Sequence, residues 1–473
     1  MGLLNKGSRS IGIAAFFLVL TSAAAFAAAG VTVKSFGSHG VAVVPDRQSH
    51  VINRPADLLR DGHGRILVVG SRDVLFRRAS TGLPALYRSS MSISRLKPDG
   101  SIDRTFGNKG TAIVSYKRLR NANGLAAAVQ SNGKIILAGL ADRTPVNSDR
   151  DSVEHPMIAR LRSNGKIDRT FGSNGYVVLN SRGKFVGEVF AGVVVRSSGK
   201  VVVASDDNGS YLAVTQLKSS GKLDRAFGKN GVRRVTPIGA DGRVTGGAPT
   251  AIALAKNGSI VELGSSKFDS TPVNSDIQEC IAIRFTRSGA LDRSFGNDGF
   301  FKASSVLAKS TTSDCTSLAI DSHGRPVLGG RTGAVAFSGT GELIPIRYAP
   351  TAIRLTLSGS VDTSFGSGGI GIASYSARSL AIDSIALLPS GGPVLCGFAD
   401  DSMTGNSDPY FAAFKGSGAY DATLSSVLAK SLRVDESKVD LFACARSSNR
   451  LLVTGQDAAG STVRSAVQAL TAR

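Results

Sequence analysis

The sequence predicts an all-β fold, a seven-bladed β-propeller of four-stranded blades closed by pairing of the N-terminal strand with the last blade. Three observations predict it. A phrase with the pattern Gly-x-(Ile/Leu)-Asp-x-x-Phe-Gly-x-x-Gly recurs along the chain, a hairpin phrase interleaves with it, and the two ends carry complementary halves of one unit. Of 473 residues, 42% are hydrophobic and 19% charged, which excludes wholesale disorder. The 55 glycines suit many tight turns.

At the start, Lys6 and Arg9 precede an apolar stretch, Ile11 to Leu20, and small residues ending Ala25-Phe26-Ala27-Ala28. This order is that of a secretory signal peptide, so residues 1–29 read as a leader cleaved after Ala27. The alternative is an uncleaved anchor, since Ile11–Ala29 is just long enough to span a bilayer. The alanine-rich end favours cleavage. Residues 30–473 then form a single propeller domain of about seven repeats, with no membrane span after cleavage and a monomeric state expected.

The main phrase runs Leu96–Gly110, Leu161–Gly175, Leu217–Gly231, Phe285–Gly299 and Leu355–Gly369. A decayed copy from Phe414 keeps Gly418 and Asp421 but has Leu424-Ser425 where Phe-Gly belongs. A half copy, Ser35–Gly40, stands near the start. The hairpin phrase, as in Val129–Gly139, turns at Gly64, Gly133, Gly199, Gly258, Gly324, Gly391-Gly392 and Asn449, which makes seven units. β-branched runs around Asn-Gly or Ser-Gly form hairpins because glycine supplies positive φ at little cost. In the second unit the four strands fall at about Leu125–Gln130, Lys134–Gly139, Met157–Leu161 and Tyr176–Leu179. Four-stranded units repeated around an axis bury both faces of each sheet against neighbours. The C-terminal Ala466–Leu470 reads as a third strand with no fourth after it, and Val41–Val44 supplies the missing one. Such pairing removes two open edges.

With these motifs the chain resembles the delta-60 repeat family of exported bacterial proteins, over nearly its whole length after the leader. The resemblance implies a propeller-like architecture and a bacterial envelope setting, secreted or periplasmic. It implies no activity and no catalytic residues.

Phe106, Phe171, Phe227, Phe295 and Phe365 read as wedges between blades. Asp103, Asp168, Asp224, Asp292 and Asp362 read as acceptors of backbone N–H groups within the connection. A calcium ring is disfavoured, because each connection offers one acid where calcium takes several oxygens from one loop. Arg104, Arg169, Arg225 and Arg293 follow the aspartates, and Thr363 breaks the series. They are either rim side chains beside their own aspartates or parts of a basic ring. A second candidate is the loop Thr144–Asp149, repeated as Thr271–Asp276, which offers Asn147, Asp149, Asn274 and Asp276 for binding if these are more than turn formers.

No nucleophile elbow, P-loop, zinc-protease or haem-attachment motif is present, so no catalytic residue, metal or cofactor is expected. Cys280, Cys315, Cys396 and Cys444 suit disulfides in an exported chain; pairing Cys280 with Cys315 leaves Cys396 with Cys444, and buried free thiols are the alternative. The net charge of +21 must sit somewhere on the surface. The expectation is a non-catalytic scaffold presenting loops to a protein or to an anionic polysaccharide or lipopolysaccharide, with nucleic acid held only by non-specific charge. The alternative is an envelope hydrolase or lyase working at the central funnel.

Overall fold

The computed structural model describes residues 32–44, 51–77, 86–115, 121–142, 154–179, 190–206, 211–237, 247–268, 277–308, 311–337, 343–374, 377, 379–400, 408–432, 441–447, 449–459 and 462–471. The leader reading, and the loop candidates Asn147, Asp149, Asn274 and Asp276, lie outside them.

Seven blades stand in a ring. A short strand β1 (Val41–Val43) comes first. Blade 1 is β2 (Val51–Arg60), β3 (Ile66–Arg77), β4 (Leu86–Leu96) and β5 (Thr111–Val114). Blade 2 is β6 (Asn121–Val129), β7 (Ile135–Asp142), β8 (Glu154–Leu161) and β9 (Tyr176–Val178), so its inner strands run further into the loops than the repeat pattern marks. Blade 3 is β10 (Phe190–Val195), β11 (Val201–Asp206), β12 (Leu212–Leu217) and β13 (Val232–Val235). Blade 4 is β14 (Ala248–Leu254), β15 (Ile260–Phe268), β16 (Ile277–Phe285) and β17 (Phe300–Lys302). Blade 5 is β18 (Thr311–Ile320), β19 (Pro326–Phe337), β20 (Leu343–Arg354) and β21 (Ile370–Ile372). Blade 6 has β22 (Ser379–Leu387), β23 (Pro393–Asp400) and β24 (Asp408–Ala413), and a helix, α1 (Ala422–Ser431), follows where a fourth strand would. Blade 7 is β25 (Leu441–Ser447), β26 (Arg450–Ala459) and β27 (Thr462–Thr471), completed by β1.

Within each blade neighbouring strands are antiparallel. The first strand of every blade lies against the first strands of both neighbours, so these seven surround the axis. Each of them carries a β-bulge at the same place, as between Gly124 and Ala126 in β6. The ring is closed by β1, whose Val41 and Val43 face Gln468 and Ala466 of β27.

Every junction between blades holds its own apolar cluster. The repeated phenylalanines sit in them with at most 1% of their surface exposed. Their role as wedges has a specific receptor, the first glycine of the next blade's phrase. Gly165 (φ +81°) shows why that residue is glycine: a Cβ there would lie 2.7 Å from the Gly107 nitrogen and 3.0 Å from the Phe106 ring. The Gly107 N–H donates to Asn164 O at 2.8 Å across the same junction. The same backbone bond recurs from Gly37, Gly172, Gly228, Gly296 and Gly366, each to the following blade.

Candidate anion-binding face

In each blade the first-to-second turn and the third-to-fourth connection leave the sheet at one edge, because adjacent strands are antiparallel. These segments together build one face of the ring, and the repeated phrase is its main material.

The aspartates of the phrase anchor that face, Asp103, Asp168, Asp224 and Asp362 buried and Asp292 half-buried. Asp103 accepts from the Thr105 N–H at 3.1 Å and hydroxyl at 2.6 Å, as local turn chemistry dictates. Its other oxygen takes Arg95 Nε at 2.8 Å. Arg95 is 3% exposed, lies 4.5 Å over the Phe106 ring and reaches Ser163 O of the next blade at 2.5 Å. Arg160 with Asp168, Arg284 with Asp292 and Arg354 with Asp362 repeat the arrangement at 2.7–2.8 Å. Burial pushes each of these carboxyls up, but the hydroxyl, N–H and guanidinium donors outweigh it and hold them below the usual carboxylate range.

These arginines come from the third strand, eight residues before the aspartate. The sequence reading looked instead to the arginine just after the aspartate. The fixed spacing of eight, present four times, was the signal available.

Blade 3 solves the same problem by exchange. Gln216 stands where blades 1, 2, 4 and 5 have arginine, and Arg196 stands in the turn where blade 2 has Gln130. Arg196 Nε donates to Gln216 Oε1 at 2.6 Å, and Gln216 Nε2 passes the contact to Asp224 at 2.8 Å. Lys200 adds an ion pair to Asp224 at 2.8 Å. Arg196 also donates to Gly258 O, just as Gln130 donates to Gly199 O one blade earlier.

Since each aspartate is occupied by a partner from its own blade's third strand, Arg104, Arg169 and Arg225 do not pair with the aspartates beside them and stand exposed. Arg293 is exposed too, but is bound by Asp298 at 2.6 and 2.7 Å. With their neighbours they form an arc. The third-to-fourth connections of blades 1 to 4 expose twelve cations: Lys97, Arg104, Lys109; Arg162, Lys166, Arg169; Lys218, Lys222, Arg225, Lys229; Arg287 and Arg293. They expose two acids, Asp99 and Asp298. Among the described residues the matching segments of blades 5 to 7 expose two, Lys415 and Lys34, and α1 adds Lys430. The sequence reading of a ring is thus narrowed to a sector of four blades.

On the same face, a cavity of about 950 Å³ opens beside the first strands of blades 5 to 7 and 1 and the first-to-second turns of blades 5 and 6. Its acids Asp57 and Asp321 are engaged in structure. Asp57 accepts from the Leu58 and Ala127 N–H groups, and Asp321 from His323, Arg325 and the Arg325 guanidinium. The four cysteines are buried. Cys280 of β16 is bonded to Cys315 of β18 across the junction of blades 4 and 5, and Cys396 of β23 to Cys444 of β25 across that of blades 6 and 7. Among the described residues no helix is long and apolar enough to cross a membrane.

Residues 130–171 match the model of a β-propeller family described as a domain of unknown function, DUF5122. That stretch is the hairpin turn and phrase of blade 2, so the match falls on a repeat-type propeller family. No curated protein sequence matches the chain. Among solved structures, a protein of unknown function from Dyadobacter fermentans is similar at 10% identity and a TM-score of 0.45, over 92% of this chain and 98% of that one. An α-L-arabinofuranosidase from Fusarium graminearum is similar at 9% identity and 0.39, over 91% and 97%. A Trypanosoma rangeli sialidase is similar at 11% and 0.38, over 93% of this chain and 57% of that one. At such distances these likenesses bear on no chemistry, and the fold rests on the strand pairing above.

Proposed function

We propose that the protein is an exported, monomeric, non-catalytic binding scaffold of the delta-60 repeat type, whose basic face holds an anionic polymer such as an acidic polysaccharide or lipopolysaccharide. One observation carries this reading: among the described residues the third-to-fourth connections expose twelve cations in blades 1 to 4 and two in blades 5 to 7. A sector of one sign on a rigid platform attracts an extended polyanion by a Coulomb term that salt weakens. The buried Arg–Asp–Phe groups keep the platform rigid beneath the exposed cations, and two disulfides suit an oxidising compartment.

The test is chromatography of the chain on immobilised heparin. It is expected to bind at low salt and elute as salt rises. Replacing Arg104, Arg169 and Arg225 by Glu is expected to shift elution to much lower salt, while Lys34→Glu with Lys415→Glu shifts it little. Flow-through of the parent at low salt would end the reading.

A further inference from the structure

The same surface groove occurs at two junctions of the ring. Where blade 1 meets blade 2, Gly107, Asn108 and Lys109 face Gly165, Lys166 and Ile167. Where blade 4 meets blade 5, Gly296, Asn297 and Asp298 face Gly359, Ser360 and Val361, each at the equivalent position. The first groove has a volume of about 760 Å³ and the second about 640 Å³. Their charges differ. The first is lined by Arg72, Arg104, Lys109 and Lys166, drawn from two blades, and by no acid. The second has one cation, Lys302, one acid, Asp298, itself bound to Arg293, and a serine in place of Lys166.

Backbone geometry marks Lys109 as well. Its position is left-handed in blades 1 to 4 and in the half copy, with φ of 52–56° for the non-glycine residues. Blades 2 and 3 fill it with Asn174 and Asn230, blade 4 with Asp298 and blade 5 with Gly368. Asn, Asp and Gly tolerate this region, whereas a lysine there is held in a conformation its side chain disfavours. Local folding therefore favours Asn, and the groove holds a cation instead.

Resting on the reading of this face as anion-binding, we infer that the groove between blades 1 and 2 is the principal seat on it, taking one sugar unit that bears two negative charges. Four cationic side chains, Arg72, Arg104, Lys109 and Lys166, line from two blades a space large enough for a saccharide unit. The partly buried Ile102 and Ile167 offer apolar walls for ring carbons, and the Asn108 amide offers a neutral hydrogen-bonding group. At the next two junctions the corresponding exposed cations are Arg169 with Lys222, and then Arg225 with Lys229, at the position of Asn108, beside Ala290. A polymer seated at the first groove would continue over these weaker positions.

Calorimetric titration of the whole chain with a trisulfated heparin disaccharide at low salt tests the seat, with neutral maltose as control. Lys109→Asn copies blades 2 and 3, so it is expected to fold with an unchanged or higher melting temperature. Combined with Lys166→Ser, it should weaken disaccharide binding by about tenfold or more, two lost charge contacts of ordinary strength. Conversely, Asp298→Lys with Ser360→Lys rebuilds the cationic groove at the other junction and should add one binding site. A Lys109→Asn/Lys166→Ser variant that binds like the parent, or equal binding of maltose, would overturn the inference. If the parent still binds immobilised heparin in that case, the face survives and only the seat falls. Flow-through of the parent removes the face itself.

Discussion

At the scale of single residues, the repeat shows how a polar group earns a buried place. Asp103 and its counterparts have every oxygen satisfied, so their burial stabilises the junctions. Glu262 is the opposite case. It is 0% exposed on β15, between Ile252 and Ile283 on the neighbouring strands, and neither carboxyl oxygen has a hydrogen-bond partner among the described residues. The sister blades carry Val68, Leu137, Val203, Leu328, Leu395 and Val453 there, all nearly fully buried. Burial raises the Glu262 carboxyl well above its ordinary 4.5. A raised carboxyl costs nothing below the unfolded value and destabilises progressively as pH rises above about 4.5. Glu262→Leu is therefore expected to stabilise the fold by roughly 2–3 kcal/mol at neutral pH, with the gain shrinking as pH falls to 4.5. The repeat aspartates act with the other sign: their depressed carboxyls lose stability as pH falls below 3.8. Melting curves of parent and variant across pH decide it, and a gain independent of pH would mean Glu262 is not titrating against burial. Such sites were only half legible. A glutamate at an aliphatic position is visible once strands are aligned, but whether it has a partner depends on the blade packed over it.

At the scale of elements, blade 6 departs from the others. Without Phe-Gly after Asp421, it has no phenylalanine wedge, and among the described residues no backbone bond from this phrase reaches blade 7. The aspartate is kept but does a new job, capping α1 by accepting from the Leu424 N–H at 2.9 Å. The helix carries Leu428 into the junction of blades 6 and 7, and its end is held from blade 7, where Gln468 Nε2 donates to Ser431 O at 2.5 Å. Apolar residues at 424, 427 and 428 after an N-capping aspartate were a readable helix signal, overridden in the sequence reading by the expectation of a sixth copy. The junction that lost its wedge is also the one crossed by Cys396–Cys444. Cys280–Cys315 crosses a junction that keeps both Phe295 and the bond from Gly296 to Ser358. Loop entropy alone makes the two bonds nearly equal, since separations of 48 and 35 residues differ by only about 0.3 kcal/mol. Cys396→Ala/Cys444→Ala is nevertheless expected to cost clearly more than Cys280→Ala/Cys315→Ala, by about 1 kcal/mol or more beyond that difference. Denaturant titration of both double variants measures it; equal losses would show that α1 alone replaces the missing wedge.

At the scale of the whole molecule, the architecture was legible because it is written twice, as a period in the chain and as complementary ends. Turn glycines and β-branched runs fix each hairpin locally, and a ring follows once every sheet must cover both faces. What could not be read was the angular distribution of charge, because rim positions tolerate any polar residue and only the closed ring shows which blades adjoin. The ring's seam makes a further prediction. Phe36 and Phe106 fill equivalent wedge sites and are both 0% exposed, so replacing either by alanine should cost about 3–5 kcal/mol locally. Their tethers differ. Phe106 lies between β4 and β5, both paired within blade 1, whereas Phe36 lies on an arm joined to blade 7 through the three paired residues of β1 and a few flanking bonds such as Val33 N to Ala469 O at 2.9 Å. Loss of the Phe36 anchor should therefore release β1 and leave the outer edge of β27 open, as loss of Phe106 should not. Hydrogen exchange reads this at Ala469, whose N–H donates to Gly40 O: protection should fall in Phe36→Ala far more than in Phe106→Ala. The exposed edge should also make Phe36→Ala self-associate with rising concentration, since an unpaired strand edge recruits another. Equal protection of Ala469 in both variants would place the weakest point of the ring at another junction, and the wedge-free one between blades 6 and 7 would be the first to probe.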